Sequence, residues 1–234
     1  YLNDVKQTQS IDLNDLMTKE NFISTCKKYV EWKKIGKLNK FLPYVNEDKW
    51  LIIERFSSTN NNYSLNDFCD TIKLKRIIGD ASKLNVEDNT FDFICSNNTF
   101  EHIYKPILID ILKEFKRIIN PNGVMSHFID MSDHFAHFDK SINIYNFLKY
   151  SKKTWKLIDN SIQPQNRLRF KDYLKIYEEL NIPISEIEVR KGNLQELNKV
   201  KVNNEFDKYK QEELAISHGY IVTKMQPTSH YWHP

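Results

Sequence analysis

Apolar residues along the chain change spacing several times, and each spacing predicts an element. Tyr1 to Val5 reads as the end of a short strand. From Asp12 to Ile35, Leu13, Leu16, Met17, Ile23, Val30 and Ile35 recur at helical intervals and predict one or two amphipathic helices. Trp50 to Phe56 is an apolar run compatible with helix or strand. Ser57 to Ser64 gathers Ser, Thr and Asn without period and reads as a loop. Leu74 to Gly79 and Phe91 to Ser96 read as strands. Between them, Asp80 to Thr90 is polar, with a turn at Glu87-Asp88-Asn89. Pro106 to Ile119 is a helix with Leu108, Ile111, Leu112, Phe115, Ile118 and Ile119 on one face. Pro106 suits its first turn, and Asn120, which precedes Pro121, stops it. Pro121-Asn122-Gly123 reads as a turn with a positive φ at the glycine. Val124 to Asp130 follows as a strand. Further on, a helix is expected over Phe170 to Leu180, and strands over Glu186 to Arg190 and Gly219 to Met225.

Strands alternating with a helix over residues 74–130 predict an α/β fold, Rossmann-like, with a mostly parallel sheet flanked by helices. Ligands of such sheets sit beyond the carboxyl ends of the strands. Three stretches therefore carry candidate chemistry: Asp80-Ala81, Ser96-Asn97-Asn98, and Ser126 to Asp130.

Composition narrows the choices. The chain has 234 residues, with 34 basic against 31 acidic, a net charge of +3. That balance excludes a strongly basic nucleic-acid binder, and no nucleic acid is expected as partner. The length fits a single domain. It is expected to divide into a second strand plus helical insertion (1–73), a sheet core (74–130), a substrate-side region (131–185), C-terminal strands (186–225) and a tail (226–234). Cys26, Cys69 and Cys95 are too widely spaced for a disulfide framework or a zinc motif, and Cys95 reads as a core thiol. A reducing, cytoplasmic setting follows. No stretch is apolar enough to span a bilayer. The five glycines, Gly36, Gly79, Gly123, Gly192 and Gly219, are scattered, so no glycine-rich phosphate loop is present.

Residues 79–123 carry a resemblance. Gly79-Asp80-Ala81-Ser82-Lys83-Leu84 is followed by Glu87-Asp88-Asn89-Thr90-Phe91-Asp92-Phe93-Ile94. Next come Ser96-Asn97-Asn98-Thr99-Phe100-Glu101-His102-Ile103, a helix, and Asn120-Pro121-Asn122-Gly123. This series resembles the class I S-adenosylmethionine-dependent methyltransferases. Phe100 stands in place of the usual Leu, and Asn122-Gly123 in place of Gly-Gly. The stretches from Val124 to Asp130, Asp133-His134-Phe135, Asn146-Phe147-Leu148 and Asn166-Arg167-Leu168-Arg169 resemble a methyltransferase-like subgroup associated with cell-surface polysaccharide synthesis. The resemblance implies S-adenosyl-L-methionine as cofactor. Asp4 would hold the ribose, Asp80 and Ala81 would meet the adenine, and Ser96 and Asn97 would lie where the fourth strand opens. The family's Gly-rich loop is missing. With Tyr1 to Val5 matching its second strand, the chain is expected to be truncated before a central first strand, or to fill that gap with another element.

Catalytic candidates lie after Val124. His134 beside Asp133, or His127, suits a general base that takes a proton from an attacking hydroxyl, with Asp130 as a nearby carboxylate. If the strand reaches Asp130, His127 and Asp130 point to opposite faces. The bland alternative is that these histidines cap loops. Arg167 and Arg169 suit an anionic acceptor or, alternatively, structural ion pairs. The aromatics from Phe135 to Trp155 suit either a sugar-stacking wall or a satellite core. His127, Asp130, Asp133, His134, His137 and Asp139 together match no compact zinc motif, and no metal is expected.

The reading that follows is S-adenosylmethionine-dependent methyl transfer to an oxygen or nitrogen of a small polar acceptor, such as a sugar of a surface polysaccharide. Its alternative is a non-catalytic methyltransferase-like binding or scaffolding domain of a larger protein. A metal-dependent hydrolase built on the His/Asp loop is a weaker third. Oligomeric state has no signature.

Overall fold

The computed structural model describes residues 2, 5–58, 62–160 and 164–226. Within it the chain packs as two compact units, Tyr1–Ala81 and Ser82–Pro234.

The first unit holds β1 (Thr8–Asp12), α1 (Lys19–Lys34), α2 (Glu47–Ser57), α3 (Leu65–Thr71) and β2 (Leu74–Ile78). β1 and β2 pair in parallel, Thr8 opposite Leu74 through Asp12 opposite Ile78. The expected strand over Tyr1 to Val5 lies mostly outside the described residues, and Val5 itself is not in a strand. The observed strand comes a few residues later, in Thr8-Gln-Ser-Ile-Asp, where a single apolar residue gives almost no periodic signal. The helical pattern expected from Asp12 therefore begins only at Lys19, where the Thr18 hydroxyl accepts the Asn21 amide. Trp50 to Phe56 is helical and buries Trp50, Ile53 and Phe56. α3, not expected, starts on a capping box: Ser64 and Asp67 satisfy each other's backbone N–H groups. Phe22, Phe56 and Phe68 stack at the centre of this unit, with centroids 4.3–6.0 Å apart.

The second unit is α/β and Rossmann-like. Its elements are β3 (Phe91–Asn97), α4 (Lys105–Ile118), β4 (Ile119–Asp130), α5 (Lys152–Ile158), α6 (Phe170–Glu179), β5 (Glu186–Arg190), α7 (Leu194–Leu197), α8 (Gln211–Ala215) and β6 (His218–Lys224). The sheet runs β3-β4-β6-β5. β3–α4–β4 is the expected crossover, with β3 and β4 parallel and Ser96 opposite His127. β6 is antiparallel to both β4 and β5. Among the described residues this sheet thus has one parallel and two antiparallel pairs, so it contains parallel pairing without being mostly parallel.

Alternation along β4 buries Met125, His127 and Ile129 and leaves Ser126 and Phe128 half-buried. On β3 the same alternation puts Phe93, Cys95 and Asn97 on an exposed face, so Cys95 is not a core thiol. Its apolar surroundings in the sequence belong to a strand with apolar residues on both faces.

Pro121-Asn122-Gly123 is not a turn with a positive φ, because Gly123 is not among the residues in that region. The segment is looped out of the ladder: two steps on β3, Phe91 to Phe93, face five on β4, Ile119 to Val124. Glycine is needed there for room, since a Cβ at Gly123 would lie 2.7 Å from Ile119 Cδ1 and 2.9 Å from Asn120 O.

A satellite core of Tyr145, Phe147, Leu148, Trp155, Leu197, Phe206, Leu214 and Ala215 lies under the 131–170 region. One backbone contact closes it. Tyr145 Oη donates to Ala215 O at 2.9 Å and accepts the Asn193 amide at 2.9 Å. Gly192 sits beside them at φ +74°, where a Cβ would be 1.7 Å from Ala215 O. Gly192→Ala is expected to cost about 2–4 kcal/mol, read as a lower urea midpoint. A change below about 0.5 kcal/mol would show that this contact does not hold the satellite core.

Candidate active site

β4 ends at Asp130, and the chain then folds back on short polar links. Asp130 Oδ1 accepts the Ser132 amide at 2.8 Å. Asp133 Oδ1 accepts the Phe135 amide at 2.9 Å and caps a 3-10 turn over His134–His137. Gln165 braces the same turn: its Oε1 accepts the His134 amide and its Nε2 donates to Ser132 O. A second 3-10 turn, Phe100–His102, presents Glu101 and His102. Asn166 holds it, donating through Nδ2 to Phe100 O and Ile103 O and through its amide to Glu101 O, each at 2.8 Å.

These two turns and the start of β6 bring together side chains that are far apart in the sequence. His134 Nε2 lies 3.6 Å from Asp130 Oδ2, and His218 Nε2 lies 3.5 Å from Asp130 Oδ1. The His102 and His134 rings are 4.8 Å apart, and His134 and His137 are 5.6 Å apart. Glu101 is 1% exposed, and neither of its carboxylate oxygens has a hydrogen-bond partner. Burial raises its pKa to about 7, helped by the charge of Asp130. Asp130 goes the other way. Burial pushes it up, but bonds from His134 and Ser132 and the charge of His218 outweigh this and hold it at about 2. For His134, burial lowers the pKa, while Asp130, Glu101 and Asp133 raise it, with a net upward shift. The result is a mostly buried carboxylate–imidazole cluster able to take or give a proton near neutral pH.

Of the catalytic candidates, His134 and Asp130 meet and His127 stands apart. β4 does reach Asp130, and alternation sends the two side chains to opposite faces. His127 is fully buried, with its ring 4.4 Å from Phe100 and 5.9 Å from Phe115. Its Nδ1 bonds Ser96 Oγ at 2.8 Å, and its Nε2 has no partner. Burial holds its pKa at about 3, so it stays neutral inside the core. This geometry is that of a packing residue, and it corrects the expectation of His127 as base. Ser96 is committed to the same bond, whereas Asn97 is exposed at the end of β3. Asp80 and Ala81 follow β2 in the first unit, after Gly79, whose amide is bonded to Asp12 O. Asp4 lies outside the described residues.

The two arginines are also corrected. Arg169 is fully buried and donates to three carbonyls: Met131 O at 2.9 Å, Leu214 O at 3.0 Å and Ile216 O at 2.5 Å. Arg167 donates to Phe147 O and Tyr150 O, lies 3.5 Å from Glu205, and packs over Trp155 and Phe206. Carbonyls, rings and Glu205 surround these guanidinium groups, and although Arg169 Nε has no partner, that side chain is fully buried, so neither offers a fork to an anionic acceptor. Glu101 and His218 were not singled out by the sequence for chemistry. Glu101 was legible as the acidic residue of a Glu-His pair, but its isolation from any donor was not.

A groove of about 390 Å³ is lined by Asp133 and Phe135, which flank His134 in sequence, and by Phe138, Asp139, Asn146 and Tyr150 among others. Its walls combine aromatic faces with carboxylate and amide groups. Phe135 and Trp155, expected either to stack a sugar or to form a core, do some of each: Trp155 is buried in the satellite core and also lines the groove. Among the described residues no helix is long and apolar enough to cross a membrane.

Residues 55–126 match a family described as a methyltransferase domain, a match running from α2 through β2, β3 and α4 into β4. No curated protein matches the chain. Several solved structures are similar. Burkholderia thailandensis 1,6-didemethyltoxoflavin-N1-methyltransferase is 9% identical, with a TM-score of 0.39, covering 65% of this chain and 51% of its own. A geranyl diphosphate methyltransferase is 10% identical, with a TM-score of 0.42, covering 68% and 54%. A SAM-dependent methyltransferase of Methanosarcina mazei is 11% identical, with a TM-score of 0.42, covering 92% and 80%. The chain thus spans about half the length of the first two.

The buried His127 sets a pH dependence. Its folded pKa, about 3, lies below the ordinary 6.5. The stability it contributes is therefore complete above pH 6.5 and is lost as pH falls toward 3. The slope approaches about 1.4 kcal/mol per pH unit. Urea unfolding between pH 4 and 7.5 should show this fall. A Ser96→Ala/His127→Phe variant should lack that component, and equal slopes in the two proteins would contradict the assignment.

Proposed function

We propose that this chain, matched over residues 55–126 by a methyltransferase domain, transfers the methyl group of S-adenosyl-L-methionine to an oxygen or nitrogen of a small polar acceptor. The family match is the observation that carries this reading. The acceptor's nucleophilic atom attacks the sulfonium methyl carbon in one displacement, and the C–S bond breaks as the new bond forms. The protein aligns the two reactants and receives the acceptor's proton. That proton passes to the Asp130–His134 pair, flanked in sequence by Asp133 and Phe135 of the groove lining. The groove supports a sugar-class acceptor, of the kind found in surface polysaccharides: aromatic faces suit its C–H surfaces, and Asp133, Asp139 and Asn146 suit its hydroxyls. Asn97, at the exit of β3, is assigned to the cofactor.

A second reading, a non-catalytic methyltransferase-like binding domain, is favoured by one observation. The five glycines are scattered and form no Gly-rich loop. Calorimetry with S-adenosylhomocysteine separates the two. Micromolar binding by this chain or by its longest natural form supports the transferase, and binding by neither contradicts it. In the binding form, His134→Ala and Asp130→Asn are expected to lower the rate of radiolabelled methyl transfer by about 10²-fold or more with cofactor affinity kept. Unchanged rates would remove the pair from the mechanism.

A further inference from the structure

We infer that Glu101, His102 and His134 form a site for a divalent transition-metal ion of the zinc class. This departs from the sequence-based expectation of no metal, and it does not rest on the methyl-transfer reading.

The first observation is the state of Glu101. It is 1% exposed, and neither of its oxygens has a well-formed hydrogen bond; only the backbone amides of Glu101 and Asp130 act weakly on the carboxyl. A carboxylate taken out of water without donors is strongly disfavoured, and native structures avoid it unless a cation or ligand completes the site. Asp130, a second buried carboxylate, acts on the same group and adds repulsion that a dication would remove.

The second observation is the donor geometry. One ligand atom from each of Glu101, His102 and His134 lies within 4.8 Å of the others. Ligands on a tetrahedral ion at about 2.1 Å stand roughly 3.4 Å apart, so closure needs each side chain to move by about 1 Å or less. His102 is already set for the role. Its Nδ1 lies 2.8 Å from Pro164 O, and a carbonyl can only accept. Nδ1 therefore carries the proton, and Nε2 keeps its lone pair. A ligating histidine fixed by a backbone carbonyl on its other nitrogen is the usual outer-shell arrangement of such sites. Asn166 clamps the turn that carries Glu101 and His102, and Gln165 braces the turn that carries His134.

Two imidazoles and one carboxylate select the zinc class over magnesium or calcium, which favour oxygen donors throughout. Three protein ligands leave a fourth position open for water or an acceptor oxygen.

A second triad, Asp130, His134 and His137, shares His134 and has the same spread. It lacks the unpartnered carboxylate, and His137 is exposed, so the ion is assigned to the first triad.

The test is titration of the chelator-stripped full chain with Zn²⁺ by calorimetry, and with Co²⁺ by visible absorption. One saturable equivalent at micromolar affinity or tighter is expected, with a tetrahedral or five-coordinate Co²⁺ spectrum. Glu101→Gln and His102→Gln should each weaken binding at least 10-fold, and His137→Gln should leave it within about 2-fold. Circular dichroism confirms that each variant is folded. If one fails to fold, the wild-type Co²⁺ spectrum decides: an octahedral one, or none, overturns the site. Two further results would also overturn it. One is the absence of stoichiometric Zn²⁺ binding. The other is binding lost in His137→Gln but kept in His102→Gln.

Discussion

Two carboxylates and three imidazoles crowd the exit of β4, and their burial is the constraint that the surrounding structure meets. Glu101 and Asp130 are both nearly inaccessible, yet they are treated differently. Asp130 receives an amide and two histidine rings and stays ionised. Glu101 has no well-formed hydrogen bond and is pushed toward neutrality by burial. Carboxylates pushed apart in this way are a recurring arrangement where one group must hold a charge and another a proton or a cation.

The region around the cluster is built to hold it. Asn166 ties the Glu101 turn, Gln165 ties the His134 turn, and Arg169 gathers the carbonyls of Met131, Leu214 and Ile216. The Gln-Asn-Arg-Leu-Arg stretch thus looks like a ligand-binding segment in the sequence and behaves as a bracket in the structure. Its charges and amides are spent on backbone groups that would otherwise be buried unpaired. The groove alongside is left with aromatic faces and short polar groups.

The sequence made some of this legible. β3–α4–β4 could be read because Leu108, Ile111, Leu112, Phe115 and Ile118 repeat at helical spacing and Pro121 stops the helix. Strand β5 was placed residue for residue, since Glu186-Ile-Glu-Val-Arg alternates cleanly. β1 carries little signal because it has one apolar residue in five, and α3 hides in a polar cluster although its Ser64–Asp67 capping box is present. Asp130 and His134 are each legible as candidates, but their pairing is seen only in the structure. Their meeting with Glu101, His102 and His218 depends on sheet register and on a clamp from Asn166, which no local pattern records. The burial of His127 was equally invisible: a histidine among apolar residues looks the same whether it faces a cleft or stacks under Phe100.

The central claim is that Glu101, His102 and His134 together form a metal site. Anomalous diffraction at the zinc edge, from crystals of the full chain grown with zinc, tests it most directly. The account predicts one strong peak within bonding distance of Glu101, His102 and His134. Crystals with no peak there, and with the Glu101 carboxylate instead paired to a protein donor, would contradict it.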